Sequence, residues 1–132
     1  MKRKTLLIIA IIVLAVAALF LIFDDYFIPR PIIQEDVKDA QFFDVLYLND
    51  EVSANAYQVV DILKNYNSVK SFKDYSPYPQ DDVIIEINMV VNQKPLHVVL
   101  GDFNIWYESA DMGSYEIIDG ERLLSEMMDL LS

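Results

Sequence analysis

The sequence predicts an α+β protein: an N-terminal transmembrane helix followed by a small two-layer domain, an antiparallel sheet with two helices on one face. Three patterns carry this reading. Thr5 to Phe23 is an uncharged run in which only Thr5 is polar. From Val83 to Asn92 every odd position is apolar (Val83, Ile85, Ile87, Met89, Val91), the period-two signature of a strand with one buried face. Two further sets recur at helical spacing: Val52, Ala56, Val59, Leu63 and Tyr66, and later Leu123, Leu124, Met127, Met128 and Leu131.

Residues 1–4 form a basic tip, with Lys2, Arg3 and Lys4 directly before the apolar run. At ~1.5 Å per residue the run 5–23 spans roughly 28 Å, close to the ~30 Å hydrocarbon core of a bilayer. The basic tip stays in the cytoplasm by the positive-inside rule, so the C-terminal domain is expected outside it. The alternative is secretion after cleavage near Ala17, because Ala15-Val16-Ala17 matches a small-x-small site. Such cleavage leaves a mature chain beginning with six apolar residues, Ala18 to Phe23, so retention as a signal anchor is the better solution. With no cysteine in the chain, lipid attachment through a thiol is excluded.

Residues 24–41 read as a tether. Pro29 and Pro31 bracket Arg30, and proline disfavours helix in the residue before it. Asp24 to Ile28, with Tyr26 and Phe27, is expected at the membrane–water interface. Ile32, Ile33 and Val37 give the segment the means to form a short helix or strand.

The globular domain, 42–132, is expected in the order β-α-β-β-β-β-β-α. Phe42 to Leu48 is rich in β-preferring residues and reads as a strand. Asn49 or Asp50 caps the helix that carries the first stripe, with Lys64 in its last turn. Asn65 to Asn67 break it, and Val69 to Tyr75 form a second strand. Ser76 to Asp82, with Pro77 and Pro79, is a loop. After the strand 83–92, a turn at Gln93-Lys94 sets Val91 opposite Leu96 and Met89 opposite Val98. A two-residue hairpin turn at Gly101-Asp102 then sets Val98 opposite Ile105 and Leu96 opposite Tyr107. This register places Val90, His97 and Trp106 side by side on the outer face, beside a row of Asn88, Val99 and Asn104. A turn at Ala110 to Gly113, a strand at Ser114 to Ile118 and an Asp119-capped final helix complete the domain.

Charge is strongly divided. All 21 acidic residues follow Phe23 and only seven basic ones do, a balance of −14 beyond the apolar run. Such a domain repels nucleic acid and anionic headgroups, so no nucleic-acid partner is expected and the membrane is engaged through the N-terminal helix alone. The absence of cysteine removes disulfides, thiolate metal sites and cysteine catalysis. Three glycines, Gly101, Gly113 and Gly120, offer no phosphate-cradling loop. His97 is the one histidine, and a pair with Glu108 is geometrically conceivable, but nothing supplies a nucleophile; Ser109 lacks a nucleophile-elbow context. Asp81, Asp82 and Asp111 carry oxygen ligands without the spacing of a calcium loop. No catalytic residue, metal, cofactor or small-molecule ligand is therefore expected.

Two features suit recognition. One is the outer face with Val90, Val99, His97 and Trp106, joined by Ile84 and Ile118; tryptophan and tyrosine are enriched at binding hot spots. The other is the loop Tyr75-Ser76-Pro77-Tyr78-Pro79, which presents the rings of Tyr75 and Tyr78 on a stiff backbone. The expectation is a single-pass membrane protein whose acidic extracytoplasmic domain binds another protein as an accessory or regulatory subunit. The alternative is an immunity or inhibitor protein acting at the membrane surface on a basic target, and a small hydrolase stands third. The layout resembles, in a general way, small single-pass proteins of Gram-positive bacteria.

Overall fold

The computed structural model describes residues 2–73, 80–108 and 113–132. Its first element, α1 (Arg3–Phe27), is a helix of 25 residues that loses helical geometry at Phe23, where φ is −109° and ψ is 15°. Its stretch Arg3–Asp24 is long and apolar enough to cross a membrane, and none of it is buried by the rest of the chain. The remaining elements are β1 (Arg30–Pro31), β2 (Ala40–Tyr47), β3 (Asp50–Glu51), α2 (Ala56–Leu63), β4 (Asn67–Lys70), a 3-10 turn (Gln80–Asp82), β5 (Val83–Val91), β6 (Lys94–Gly101), β7 (Ile105–Glu108), β8 (Ser114–Ile117) and α3 (Gly120–Leu131). The fold is mixed α+β, with a sheet ordered β1-β4-β8-β7-β6-β5-β2-β3 in which every described pairing is antiparallel.

The alternation in β5 does what its period demands. Ile85, Ile87 and Met89 are buried, and with Val45, Val98 and Leu100 they make one wall of the main core. Val59, Val60 and Leu63 of α2 and Leu123 and Met127 of α3 fill the other side of that same cluster. Burial of a Val, Leu, Ile or Met side chain contributes about 1.5–3 kcal/mol each, so this one face supplies most of the driving force. Tyr66, just past α2, closes the cluster at its rim. Its hydroxyl donates to Glu126 of α3 and accepts from Arg122 Nε at 3.0 Å, and the Arg122 guanidinium lies 4.9 Å over its ring.

Four expectations need correction. Asn49 and Asp50 do not open a helix. Leu48 and Asn49 both take positive φ (52° and 68°), the geometry of a tight hairpin, and Tyr47 pairs with Asp50 to start β3. The helix begins later, where the Asn55 side chain accepts from the backbone N–H groups of Tyr57 and Gln58. The second strand is Asn67–Lys70 rather than a run from Val69 to Tyr75; residues 74–79 lie outside the described residues. Asp119 precedes the last helix without capping it through its side chain, which instead pairs with Arg122 at 3.2 Å.

The fourth correction concerns register. The turn after β5 is Asn92-Gln93, both at positive φ, so Met89 pairs with Leu96 and Ile87 with Val98. That is a shift of two residues, which leaves the side chains from Ile85 onward on their expected faces; a bulge between Val83 and Ile85 turns Val83 to the face of Val99. The next connection shifts by one. Val98 pairs with Trp106 and His97 with Tyr107, because the loop runs through Asn104 at φ 50° rather than turning at Gly101-Asp102. A one-residue slip reverses every face, and all of β7 is reversed relative to expectation. Gly101 does not supply positive φ here; it is needed because a Cβ would sit 2.1 Å from the Asp82 carbonyl oxygen.

Residues 28–39 are part of the fold. Arg30 and Pro31 pair with Ser68 and Asn67 at the edge of the sheet. The Ile32 N–H donates to the Tyr66 carbonyl, and Ile32 is buried in the main core. The Asn92 side chain then holds the returning segment, accepting from Lys38 and Asp39 N–H and donating to the Asp36 carbonyl.

Burial, then the bond to Glu126, raises the Tyr66 pKa above its ordinary value. A tyrosine whose folded pKa is raised contributes stability that is complete below about pH 10 and is lost as pH climbs through the folded value. Tyr66→Phe is expected to cost about 1–2 kcal/mol near neutral pH. It is also expected to flatten the alkaline loss of stability. Urea unfolding of the detergent-solubilised chain, followed from neutral to alkaline pH, checks both.

Candidate functional site

The outer sheet face is built from the side chains that the core does not use. Along β5 these are Glu86, Asn88 and Val90, all half-buried, whereas Ile84, expected on this face, packs against the main core at a bulge between Val83 and Ile85. Cross-strand register sets Asn88 between Asp44 of β2 and His97 of β6, and Glu86 between Leu46 and Val99. The Asn88 amide donates to Asp44 Oδ1 at 2.6 Å. Glu86 reaches diagonally to His97, with Oε1 3.0 Å from Nε2 and the two side chains 14% and 28% exposed. The His97 ring lies 5.4 Å from that of Tyr107 on the next strand. A bulge in β2 between Phe42 and Asp44 throws Phe43 out of the pairing, and its side chain is 74% exposed.

One end of this face is closed. Val83, Val99, Ile105 and Tyr107 are buried as a second small core, with Phe103 packed against them. Of the residues expected to share the outer face, Val90 and His97 are there and partly accessible, whereas Val99 is there and buried. Trp106 is on the opposite face. Only 4% of it is exposed; it stacks on Tyr115 at 4.2 Å and 12°, and its Nε1 donates to Ser68 Oγ at 2.7 Å. Ile118 is exposed just beyond β8. Tyr75 and Tyr78, the second expected feature, lie outside the described residues.

Trp106 has a second role. With Ile32, Ile33, Val91, Pro95 and Leu96 it lines a cavity of about 430 Å³ beneath the segment that crosses the sheet. Lys94 and Glu35 form an ion pair at its mouth, 2.8 Å apart. The hydrogen bond and charge of Lys94 hold the Glu35 carboxyl below its ordinary pKa. The sign of this arrangement in the sequence is the apolar pair Ile32 and Ile33, which gave the segment the means to form a short helix or strand.

Chemically, the His97–Glu86 pair is an oriented imidazole without a nucleophile in reach among the described residues. Ser114 faces the same side two strands away, about 10 Å by strand spacing. Its hydroxyl donates to the Lys73 carbonyl at 3.1 Å. Ser109, Asp111 and the Glu108 carboxylate lie outside the described side chains. No group of three or more metal-ligating side chains occurs among the described residues. The face therefore offers shape, a bound carboxylate–imidazole pair and one projecting aromatic ring. Compared with models of protein families, with curated proteins and with solved structures, the chain matches none.

Trp106 and the outer face make opposite predictions for substitution. Trp106→Ala is expected to cost about 3–5 kcal/mol, much of a typical ~5–15 kcal/mol stability. Trp106→Phe keeps the ring but strands the Ser68 hydroxyl, for a loss of about 1–2 kcal/mol. Val90→Ala is expected to stay within about 1 kcal/mol. Thermal unfolding of the three variants in one detergent orders them.

Proposed function

We propose that this is a single-pass membrane protein whose acidic extracytoplasmic domain binds another protein through its outer sheet face, as an accessory or regulatory subunit of a bacterial envelope system. In this reading α1 is a retained signal anchor with its basic tip in the cytoplasm. The observation that carries the proposal is the asymmetry of the sheet. Both packed helices and the crossing segment lie against the inner face. Among the described residues the stretch around Phe43, Val90 and His97 bears no helix, and Phe43 projects from it.

An exposed aromatic beside half-buried apolar and charged groups is the composition of a binding hot spot with a polar rim. Asp44 and Glu86 give the patch negative charge, in keeping with the balance of −14 beyond the apolar run. A partner with a basic or amide-rich surface and an apolar pocket for one ring fits this chemistry. The oriented His97–Glu86 pair serves as a hydrogen-bonding fixture in this account, with no step of catalysis assigned to it.

Photocrosslinking residues placed at Phe43 and at Val90 in living cells are expected to trap the same dominant protein adduct. A crosslinker at Val59, on the buried side of α2, is expected to trap none. Phe43→Asp should reduce the Val90 adduct at least tenfold, the scale of a hot-spot loss above about 1.4 kcal/mol. Absence of any intermolecular adduct from both surface positions in a folded, membrane-localised chain would remove this face as the site.

A further inference from the structure

Beyond α2, the chain returns to the foot of α1. Phe72 lies two residues after β4, and its ring stacks on Tyr26 with centroids 3.9 Å apart and planes 17° apart. Phe23 and Phe27 each place a ring 6.2 Å from it. Lys70 Nζ sits 5.6 Å over the Tyr26 ring, and Arg30 pairs with Asp24 at 2.7 Å. Yet this cluster is not a core: Phe72 is 70% exposed and Phe27 61%.

The depth of the cluster follows from the length of α1. The uncharged run ends at Phe23 and fills the hydrocarbon layer, so Phe23 to Phe27 stand at the outer interface. Phe72 is held against Tyr26 and must stand at the same level. Aromatic rings beside lysine and arginine are the composition that settles at headgroup depth. The local charge is also less acidic than that of the domain as a whole, although Asp24 and Glu116 lie here too. Arg30, Lys70 and Lys73 gather at this end, three of the seven basic residues in a strongly acidic segment.

We infer that the domain has its own bilayer contact: Phe72, with Lys70 beside it, inserts into the headgroup layer and seats the β4 end of the sheet on the membrane. This inference rests on the reading of α1 as a membrane span. It goes beyond that reading because it makes the folded domain, and not the anchor alone, a lipid-binding surface. The domain then takes one posture over the bilayer, in place of swinging on a free linker.

The chain has a single tryptophan, and it is buried, so a second one can report on lipid. The full-length protein is reconstituted into phosphatidylcholine–phosphatidylglycerol vesicles whose acyl chains are brominated either near the headgroup or near the methyl end. Three chains are compared: wild type, Phe72→Trp and Ile12→Trp, the last at the middle of α1. The expected result is that F72W loses emission more to shallow than to deep bromine, I12W shows the reverse, and wild type loses almost none. If I12W is quenched while F72W behaves like wild type, the domain has no lipid contact, and the anchor reading survives alone. Failure of both variants to be quenched would overturn the span and the inference together.

Discussion

The left-handed backbone of Asn104 is the constraint on which most of the fold depends. At φ 50° it reverses the chain between β6 and β7 one residue later than a tight turn at Gly101-Asp102 would. Asparagine tolerates this region better than other residues that carry a Cβ. Three elements meet on it. Its side chain accepts from Gly101 N–H, its carbonyl accepts from Ile117 N–H of β8, and its Cβ lies 2.5 Å from where a Cβ on Gly120 would stand. Gly120 opens α3, so the same residue that sets the register of β7 also lets the last helix start close to the sheet.

From that register follow the two faces. Trp106 turns inward, stacks on Tyr115 and bonds Ser68 of β4, which ties the centre of the sheet to the strand that meets α1. Ile105 and Tyr107 turn outward and become the second small core with Val83 and Val99. The consequence for function is that the outer face keeps Val90 and His97 but loses Trp106, and the exposed ring on that side is Phe43. The two exposed phenylalanines to which recognition and membrane contact are proposed to fall lie at different places: Phe43 at a bulge of β2, and Phe72 at the foot of α1.

The parts of this arrangement that a sequence can show are those governed by period alone. The apolar stripes of α2, α3 and β5 were legible because a single spacing decides which face is buried. The β5–β6 hairpin was misplaced by two residues, yet its faces came out right from Ile85 onward because side chains alternate with a period of two; the bulge that reverses Val83 and Ile84 left no such mark. The β6–β7 connection was misplaced by one, and the same period turned a small error into a complete reversal. Gly101-Asp102 was the expected turn, and the positive φ of Asn104, held by its bonds to Gly101 and Ile117, is a tertiary feature that local turn chemistry does not show. The crossing segment 28–39 was hidden for a different reason. Its prolines mark it as irregular, and irregular backbone is easily taken for a linker, although Ile32 is buried and Asn92 secures its far end.

The most direct test of this account is the solvent accessibility of Trp106, measured by acrylamide quenching of the wild-type chain's own tryptophan emission. The register described here predicts a blue-shifted spectrum and a quenching constant many-fold below that of the urea-unfolded chain. A red-shifted spectrum quenched as readily as in the unfolded state would place Trp106 on the outer face. The inner core, the outer patch and the role given to Asn104 would then all fall together.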